Sequence, residues 1–359
     1  MTAVVGIGGS AGSIALLLQI LPELPADLPA AVVVTVHQGD RPSLLPTLFS
    51  RAGPLPARHA SDGDGLTEGQ ILVAPPGRHL LVHRNHVRLS NGPRVNRSRP
   101  AVDVMFASIA TTIGSRAAGV VLSGMLDDGA AGSALIAAAG GRMLVQDPQS
   151  TRFPSMPAAA LAAAPDAWIA GDADLAGGIS ELAEYCARQQ QEVTMAADEG
   201  PMMTESGDVA FLRPQETRLT RMACPDCGGV LAEVSMPTVS WFQCHVGHQF
   251  GPASLAAAQA DAVEFKAWAA LAALEEQVVG LEHLADLAED RPEAITSNAV
   301  TQRARAETPP HDPLADDGDE IDEAAGTQAI ALRDPAALRA RAEAAKSFAE
   351  QLRARLTQP

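Results

Sequence analysis

The chain has 359 residues and a formal net charge of −17 at pH 7, so it lacks the excess of Lys and Arg that sequence-independent nucleic-acid binding requires. Its hydrophobic share of 47% allows a sizeable core, yet it has no run of about 18 uncharged apolar residues of the kind that crosses a membrane. The start lacks the basic region of a secretory signal, so we expect a cytoplasmic protein without membrane insertion.

The chain begins with a short β-branched run that leads directly into a glycine-rich turn. This pattern predicts a buried strand, a turn that exposes Ser10, and a helix behind it, which is a suitable place for a nucleophile. The same residues also fit loosely the dinucleotide-binding pattern Gly6-x-Gly8-x-x-Ala11. That pattern expects an acidic residue at the end of the second strand, where this chain has His37. From these residues alone, both hypotheses stand.

Strand-like and helix-like patterns alternate from the start to about residue 188. This alternation predicts an α/β domain with a doubly wound, mostly parallel sheet over 1–188. The predicted strands cover 3–7, 31–36, 71–74, 80–82, 86–89, 119–123, 142–145 and 167–169. The predicted helices cover 12–20, 43–50, 101–113, 130–138, 156–163 and 173–188.

Some of these strands end next to residue types that serine hydrolases use. Ser10 lies in the turn after the first strand, His37 directly follows the second, and Asp128 lies beyond a later one. Because the carboxyl ends of parallel strands share one edge of the sheet, these side chains could form a catalytic triad there. Each also has an ordinary explanation, since a serine can cap a helix, a histidine can lie in a loop, and an aspartate before glycine suits a turn.

The C-terminal half differs from the first half in composition. We predict a polar linker, a Cys/His-rich module, a helix, a disordered acidic segment and a second helix that could pair with the first as a hairpin. Asp334-Pro335 is typical of a helix start, with an N-cap residue followed by Pro. The predicted boundaries are 189–217, 218–250, 251–289, 290–332 and 333–359.

Three of the four cysteines cluster in the Cys/His-rich module. Cys224 and Cys227 have the spacing of one zinc knuckle, and Cys244 with a following histidine has that of a second. In a cytosolic chain such clustering favours a structural metal over disulfides. The fourth ligand of a structural zinc is His248 or His245. No cofactor is expected for catalysis.

Residues 3–188 resemble the catalytic domain of protein-glutamate methylesterases of the chemotaxis CheB type. The resemblance depends on stretches that follow one another in the family's order and that disfavour the dinucleotide hypothesis. They are Gly8-Gly9-Ser10-Ala11-Gly12, the strand ending in His37, Ile71 to His79, Arg99-Pro100-Ala101-Val102-Asp103, Leu122 to Ala130, and Gln146-Asp147-Pro148 through Phe153-Pro154-Ser155-Met156-Pro157.

The resemblance implies hydrolysis of glutamate methyl esters on the cytoplasmic helices of chemoreceptors, with glutamine deamidation as a further activity. It implies that Ser10 is the nucleophile, His37 the base and Asp128 the aspartate of the triad. It also implies that the backbones of Ala11 and Met125 help to bind the oxyanion. Asp127 occupies a position that varies in the family, and Ala11 itself stands where well-studied relatives have threonine.

The resemblance also bears on regulation and on the C-terminal module. We expect no phosphorylatable receiver domain, because the catalytic strand begins near the first residue. The stretch around Cys244 and His248 resembles a module of receiverless members, which favours His248 over His245 as a metal ligand. This module could dock a signalling protein. The alternative to an enzyme is a non-catalytic signalling scaffold that uses the esterase fold for protein binding.

Overall fold

The computed structural model describes residues 2–39, 42–189, 202–203, 209–210, 217–290 and 334–357. Most of the predicted linker and nearly all of the predicted disordered segment lie outside these residues. The helices are α1 Ser13–Ile20, α2 Leu45–Ala52, α3 Val102–Ile113, α4 Ala130–Ala138, α5 Ser155–Ala163, α6 Leu175–Arg188, α7 Pro252–Asp290 and α8 Pro335–Leu356.

The first nine strands belong to the α/β part of the chain. They are β1 Val4–Gly9, β2 Ala31–Val36, β3 Ala57–His59, β4 Ile71–Val73, β5 His79–His83, β6 His86–Ser90, β7 Ala117–Val121, β8 Arg142–Gln146 and β9 Trp168–Ala170. The others are β10 Met202–Met203, β11 Val209–Ala210, β12 Thr217–Ala223, β13 Val230–Ser235, β14 Ser240–Cys244 and β15 Gln249–Phe250.

A seven-stranded parallel sheet in the order β3-β4-β2-β1-β7-β8-β9 forms the centre of the α/β part. Helices α3, α4 and α5 pack on one face of the sheet, and α1, α2 and α6 pack on the other. Every residue of β1 is buried, as expected for a central strand covered on both sides. The predicted doubly wound α/β core is confirmed.

Helix α3 packs so closely on β1 that the strand needs glycine. A Cβ atom on Gly6 would lie 2.6 Å from Ile109 Cδ1, and one on Gly8 would overlap the side chain of Val102. The glycines that resemble a dinucleotide motif therefore serve helix–sheet packing. This close approach also brings the start of α3 next to the carboxyl end of β1.

Two features of the α/β part differ from the prediction. The strand-like runs at 80–82 and 86–89 form an antiparallel hairpin, β5–β6, outside the parallel sheet. The edge strand β3 was not predicted, because its three residues are only partly buried and carry no apolar run.

After the α/β part, β12 to β15 form a four-stranded antiparallel sheet. Its small apolar cluster contains Leu231 and Phe250, together with Leu255 from the first turns of α7. The chain divides into two compact units, Met1–Gln259 and Ala260–Pro359. This antiparallel sheet therefore belongs to the same unit as the parallel sheet.

In the second unit, α8 runs antiparallel to the later part of α7. Arg339, near the start of α8, pairs with Asp286 and Glu289, and Arg353, near its end, pairs with Glu275. Asp334 caps α8 as its sequence indicates, since its side chain accepts a hydrogen bond of 2.9 Å from the Ala336 N–H.

The sequence pattern predicts that Leu338, Ala345, Phe348 and Leu352 line one face of α8, and the structure agrees only in part. Leu338, Ala342, Ala345 and Ala349 are buried, whereas Phe348 is 58% exposed. Small alanine side chains allow the helices to approach closely, and hydrophobicity alone does not reveal this preference. Among the described residues, no helix is long and apolar enough to span a membrane.

Candidate active site

The candidate site lies at the carboxyl edge of the central strands. Ser10 directly follows β1, and His37 directly follows the neighbouring strand β2. These ends are held in register because Gly9 pairs with Val36 and the His37 N–H donates to the Gly9 carbonyl at 3.1 Å. Ligands of open parallel sheets bind at this edge, so a serine and a histidine here are well placed to act on one.

The turn after β1 is built so that Ser10 protrudes from it. The Ser10 N–H donates to the Ser123 carbonyl at 2.9 Å, while its carbonyl accepts hydrogen bonds from Ser13 N and Oγ. Gly12 has φ +85°, a conformation that glycine adopts at low cost. Ser10 itself is partly exposed, whereas Ser13 is buried and serves the turn rather than the edge of the sheet.

His37 makes its strongest contact with Asp128. Its Nε2 lies 2.6 Å from Asp128 Oδ2, a short distance typical of a charge-assisted hydrogen bond. Nδ1 is thus the ring nitrogen left to face a substrate or the serine. Among the described residues, no hydrogen bond joins Ser10 Oγ to His37. Such bonds are often long before substrate binds.

Asp128 is 1% exposed, yet both of its oxygens are fully hydrogen-bonded. Oδ2 accepts from His37 Nε2 and from the Val102 N–H at 2.7 Å. Oδ1 accepts from Asn96 Nδ2 at 2.9 Å and from the Asp103 N–H at 3.0 Å. Four donors match the acceptor capacity of an ionised carboxylate. Burial opposes ionisation, but the hydrogen bonds from His37, Asn96 and Val102 outweigh it and lower the pKa of Asp128.

The N–H groups expected to hold an oxyanion are those of Ala11 and Met125. Within the described residues, neither N–H donates a hydrogen bond to the protein. The residue before Met125 is Gly124, where a Cβ atom would lie 2.9 Å from the Ser10 Cβ. The Met125 side chain is 59% exposed beside this packing contact. Neither N–H group therefore has a partner, in the described part of the protein, that would compete with a ligand.

His79 and Arg99 support the loop that follows β6. His79 Nε2 contacts the Pro93 carbonyl at 2.9 Å, and Arg99 donates to the carbonyls of Asn91 and Gly92. Burial lowers the pKa of His79 to about 4, despite the opposing effect of its bond to Pro93. Both side chains therefore shape a loop.

Asn96, Asp103 and Asp127 are buried at the site, although the sequence assigned none of them a role there. Asp103 accepts hydrogen bonds from Asn96 Nδ2 and the Gly132 N–H, and burial and the nearby Asp128 raise its pKa well above the usual value. The only sequence signal was the position of Asp103 at the end of the Arg99–Asp103 stretch. Nothing in the local sequence indicated the roles of Asn96 and Asp127.

The Cys/His cluster forms a second candidate site. One donor atom from each of four residues lies within 4.8 Å of the others, and the residues are Cys224, Cys227, Cys244 and His248. Cys227 Sγ lies 3.6 Å from Cys244 Sγ, which in turn lies 3.6 Å from His248 Nδ1. Tetrahedral zinc with ordinary Zn–S and Zn–N bonds separates its ligand atoms by roughly 3.5–3.8 Å, so the donors fit that ion.

Backbone hydrogen bonds shape the turns that carry these donors. Cys224 exchanges backbone hydrogen bonds with the Gly228–Gly229 turn, and the Cys244 carbonyl accepts from Gly247. Asp226 lies 4.0 Å from the far nitrogen of His248, where it can orient the ring. His245 is exposed and lies outside the cluster.

Comparisons with known proteins agree on the first part of the chain. Residues 5–179 match the family model described as CheB methylesterase. A protein-glutamate methylesterase/protein-glutamine glutaminase of Anaeromyxobacter dehalogenans is 42% identical over 167 residues, 44% of this chain and 46% of that protein. A protein of the same description from Symbiobacterium thermophilum is 43% identical over 155 residues, 42% of each chain.

The chain spans less than half the length of these curated relatives. Among solved structures, the CheB methylesterase catalytic domain of Thermotoga maritima is similar with a TM-score of 0.48 and 27% identity, over 51% of this chain and 99% of that one. The family match covers the sheet edge that carries Ser10, His37 and Asp128. Residues 5–179, just under half of the chain, therefore form a CheB methylesterase family domain.

Proposed function

We propose that the protein is a protein-glutamate methylesterase that hydrolyses glutamate methyl esters on chemoreceptors with Ser10, His37 and Asp128. The observation that carries the proposal is the 2.6 Å contact between His37 and a fully hydrogen-bonded Asp128. His37 follows β2, and Ser10 follows the neighbouring strand β1. The names of the relatives support glutamate methyl esters of proteins as the substrate class, and they extend this class to protein glutamines.

In the first half of the reaction, Ser10 Oγ attacks the ester carbonyl and its proton passes to His37 Nδ1. The negative charge of Asp128 stabilises the imidazolium that forms, and it fixes the ring with the other nitrogen protonated. The N–H groups of Ala11 and Met125 bind the developing oxyanion. Removing one such donor typically costs about 100- to 1000-fold in rate. Collapse of the intermediate breaks the bond to methoxide, which leaves as methanol with the proton from His37.

In the second half, water attacks the acyl-enzyme. His37 Nδ1 takes a proton from the water and returns it to Ser10 Oγ as the acyl bond breaks, which releases the receptor with a free glutamate carboxylate. The exposed edge beside Met125 leaves room for a helix of another protein to present its modified side chain. Receptor helices in the cytoplasm are the proposed substrate.

The Cys/His cluster is proposed to hold a structural zinc in a zinc-ribbon-like module. Cys224, Cys227, Cys244 and His248 would fill all positions of a tetrahedral ion, which leaves no open position for water or substrate. The ion would supply folding energy to a module whose apolar cluster is small. A signalling partner for this module stays a prediction.

The test of the proposed function is methanol release from a methylated chemoreceptor. We expect the purified full chain to release methanol and the Ser10→Ala variant to release essentially none, because the nucleophile is gone. Ser347→Ala, which removes an exposed hydroxyl on α8, is the matched control and should behave as wild type.

Two outcomes would overturn the proposal. Full activity of Ser10→Ala would exclude Ser10 as the nucleophile. No methanol release by wild type, while it binds the receptor, would favour the scaffold alternative.

A further inference from the structure

Asn96 joins the α/β part of the chain to the module that contains the Cys/His cluster. Its Nδ2 donates to Asp128 Oδ1 at 2.9 Å and to Asp103 Oδ2 at 2.7 Å. Its Oδ1 accepts a hydrogen bond of 2.7 Å from the N–H of Gly251, which lies 155 residues later in the chain. With 4% of its surface exposed, Asn96 has no alternative partners in solvent.

These contacts use both N–H donors of the Asn96 side-chain amide and one of the two lone pairs on its oxygen. A backbone N–H can only donate, so Gly251 requires the amide oxygen to face it. The amide nitrogen must then face the two carboxylates. The backbone of Asn96 is held as well, because its N–H donates to the Gln249 carbonyl at 2.8 Å. Asn96 has φ +49°, a left-handed conformation that asparagine tolerates better than most residues.

Asp127 provides a second link to the same segment. Its carboxylate accepts hydrogen bonds from the N–H groups of Ala253 at 2.7 Å and Ser254 at 3.1 Å, and also from Ser254 Oγ. It thus binds the N-terminus of α7, where an anion is favoured. Gly251 packs directly on this carboxylate, since a Cβ atom there would lie 2.6 Å from Asp127 Cγ. The contact between Gly251 and Asp127 leaves no room for a side chain at position 251.

We propose that Asn96 is a positioning residue for the catalytic aspartate and that the segment Gln249–Ser254 of the C-terminal module completes the active site by holding Asn96 in place. The inference rests on the proposed function, since it assigns Asn96 a role through Asp128. The C-terminal module then contributes to the active site and is not merely an appended domain.

The geometry explains how the segment acts on the reaction. Asp128 can rotate about its terminal torsion, and Oδ1 is held by Asn96 and a backbone N–H while Oδ2 holds His37. Loss of the Asn96 bond leaves Oδ1 with only the Asp103 N–H as a donor, so the carboxylate of Asp128 is held less firmly. It also leaves Asp103 and Asp128 without the shared donor between them. The ring of His37 then loses its fixed orientation toward Ser10, although no atom of Asn96 touches substrate.

The test compares Asn96→Ala and Gly251→Ala with wild type in the full chain. The matched control is Gly177→Ala, because a Cβ at that helical glycine meets nothing within 4 Å. We expect both test variants to lower kcat for methanol release by about 10- to 100-fold, the usual worth of a hydrogen bond to a charged group. KM should stay within about threefold, because neither residue contacts substrate.

A spectroscopic readout separates positioning from general loss of structure. The His37 Nε2 proton, held by Asp128, should give a low-field NMR resonance in wild type and Gly177→Ala. It should shift or broaden in Asn96→Ala and Gly251→Ala. If Gly251→Ala fails to fold, Asn96→Ala carries the test together with Ser254→Ala, which removes only one contact to Asp127.

The two proposals fail in different ways. Absence of methanol release by wild type would refute the proposed function, and the His37 resonance would still test the coupling. Wild-type kcat together with an unchanged His37 resonance in both Asn96→Ala and Gly251→Ala would overturn the inference. A lower kcat with an unchanged resonance would also overturn it, because the effect would then not pass through His37 and Asp128.

Discussion

Asp127 and Asp128 are adjacent in sequence, yet their carboxylates serve different parts of the molecule. Asp128 binds His37 Nε2 at 2.6 Å, whereas Asp127 binds the N–H groups of Ala253 and Ser254 at the start of α7. The preceding residue, Leu126, has φ +65°, an unusual conformation for a leucine. Strain of this kind persists only where the surrounding contacts fix it, and both carboxylates supply such contacts.

Asp128→Asn should lower kcat by about 10,000-fold, as the corresponding change does in other serine hydrolases. The amide group would offer His37 a donor where it needs an acceptor, so the ring would take the wrong tautomer. Circular dichroism should show an unchanged fold. Steady-state methanol release over a range of substrate concentrations checks the prediction, and a loss below about tenfold would count against the triad.

Asp127→Ala should act mainly on stability. The change removes the acceptor at the N-terminus of α7 and leaves Ser254 Oγ and two N–H groups without it, which typically costs about 1–2 kcal/mol. Urea unfolding of the full chain measures the loss. Ser254→Ala is the milder comparison, since both N–H groups keep their acceptor. Equal stability of Asp127→Ala and wild type would mean that the helix start is not held there.

His248→Ala should abolish zinc binding, while His245→Ala should leave it intact. The two histidines lie on the same turn, but only His248 lies in the cluster with the cysteines. Metal analysis of the purified proteins measures zinc per chain. We also expect His248→Ala to lower methylesterase activity, because His248 directly precedes the segment that holds Asn96. Zinc retained by His248→Ala and lost by His245→Ala would reverse the assignment.

The buried His79 predicts a pH dependence of stability. Its folded-state pKa is about 4, below the 6.5 of an unfolded chain, so only the unfolded state gains a proton between these values. Stability should therefore be full above pH 6.5 and fall as the pH drops toward 4, with roughly 2 kcal/mol lost by pH 5.

His79→Gln removes this titration while keeping a donor for the Pro93 carbonyl. Urea unfolding at pH 7 and pH 5 should therefore show a smaller loss in His79→Gln than in wild type. Since all other groups titrate in both proteins, the difference between the two losses of stability reports the titration of His79 alone. Identical losses in the two proteins would contradict a neutral, buried imidazole.

Local sequence carried enough information for the α/β core and for the strand ends at Ser10 and His37. Continuous β-branched runs such as Ala31–Val36 are typical of parallel strands buried on both faces, and their ends share one edge. Short, half-buried β3 lacked such a signal. On α8, alanines pack against α7, and Phe348 lies outside this contact. Hydrophobicity alone did not reveal this arrangement.

The support around Asp128 could not be predicted in this way. Asn96 and Asp127 act through hydrogen bonds to Gly251 and Ser254, residues more than a hundred positions away. Such contacts depend on the tertiary fold. An asparagine or an aspartate in a loop belongs to no periodic pattern from which its partners could be predicted. The donors of the Cys/His cluster were recognisable because metal ligands come in pairs at fixed spacing.

Covalent labelling with a fluorophosphonate tests the convergence of Ser10, His37 and Asp128 most directly, since the probe reports an activated serine without any receptor. Peptide mapping by mass spectrometry should find one adduct, on Ser10, in wild type. It should find far slower labelling in His37→Ala and Asp128→Asn. Labelling of Ser10 at equal rates in all three proteins, or an adduct on another serine, would contradict the triad.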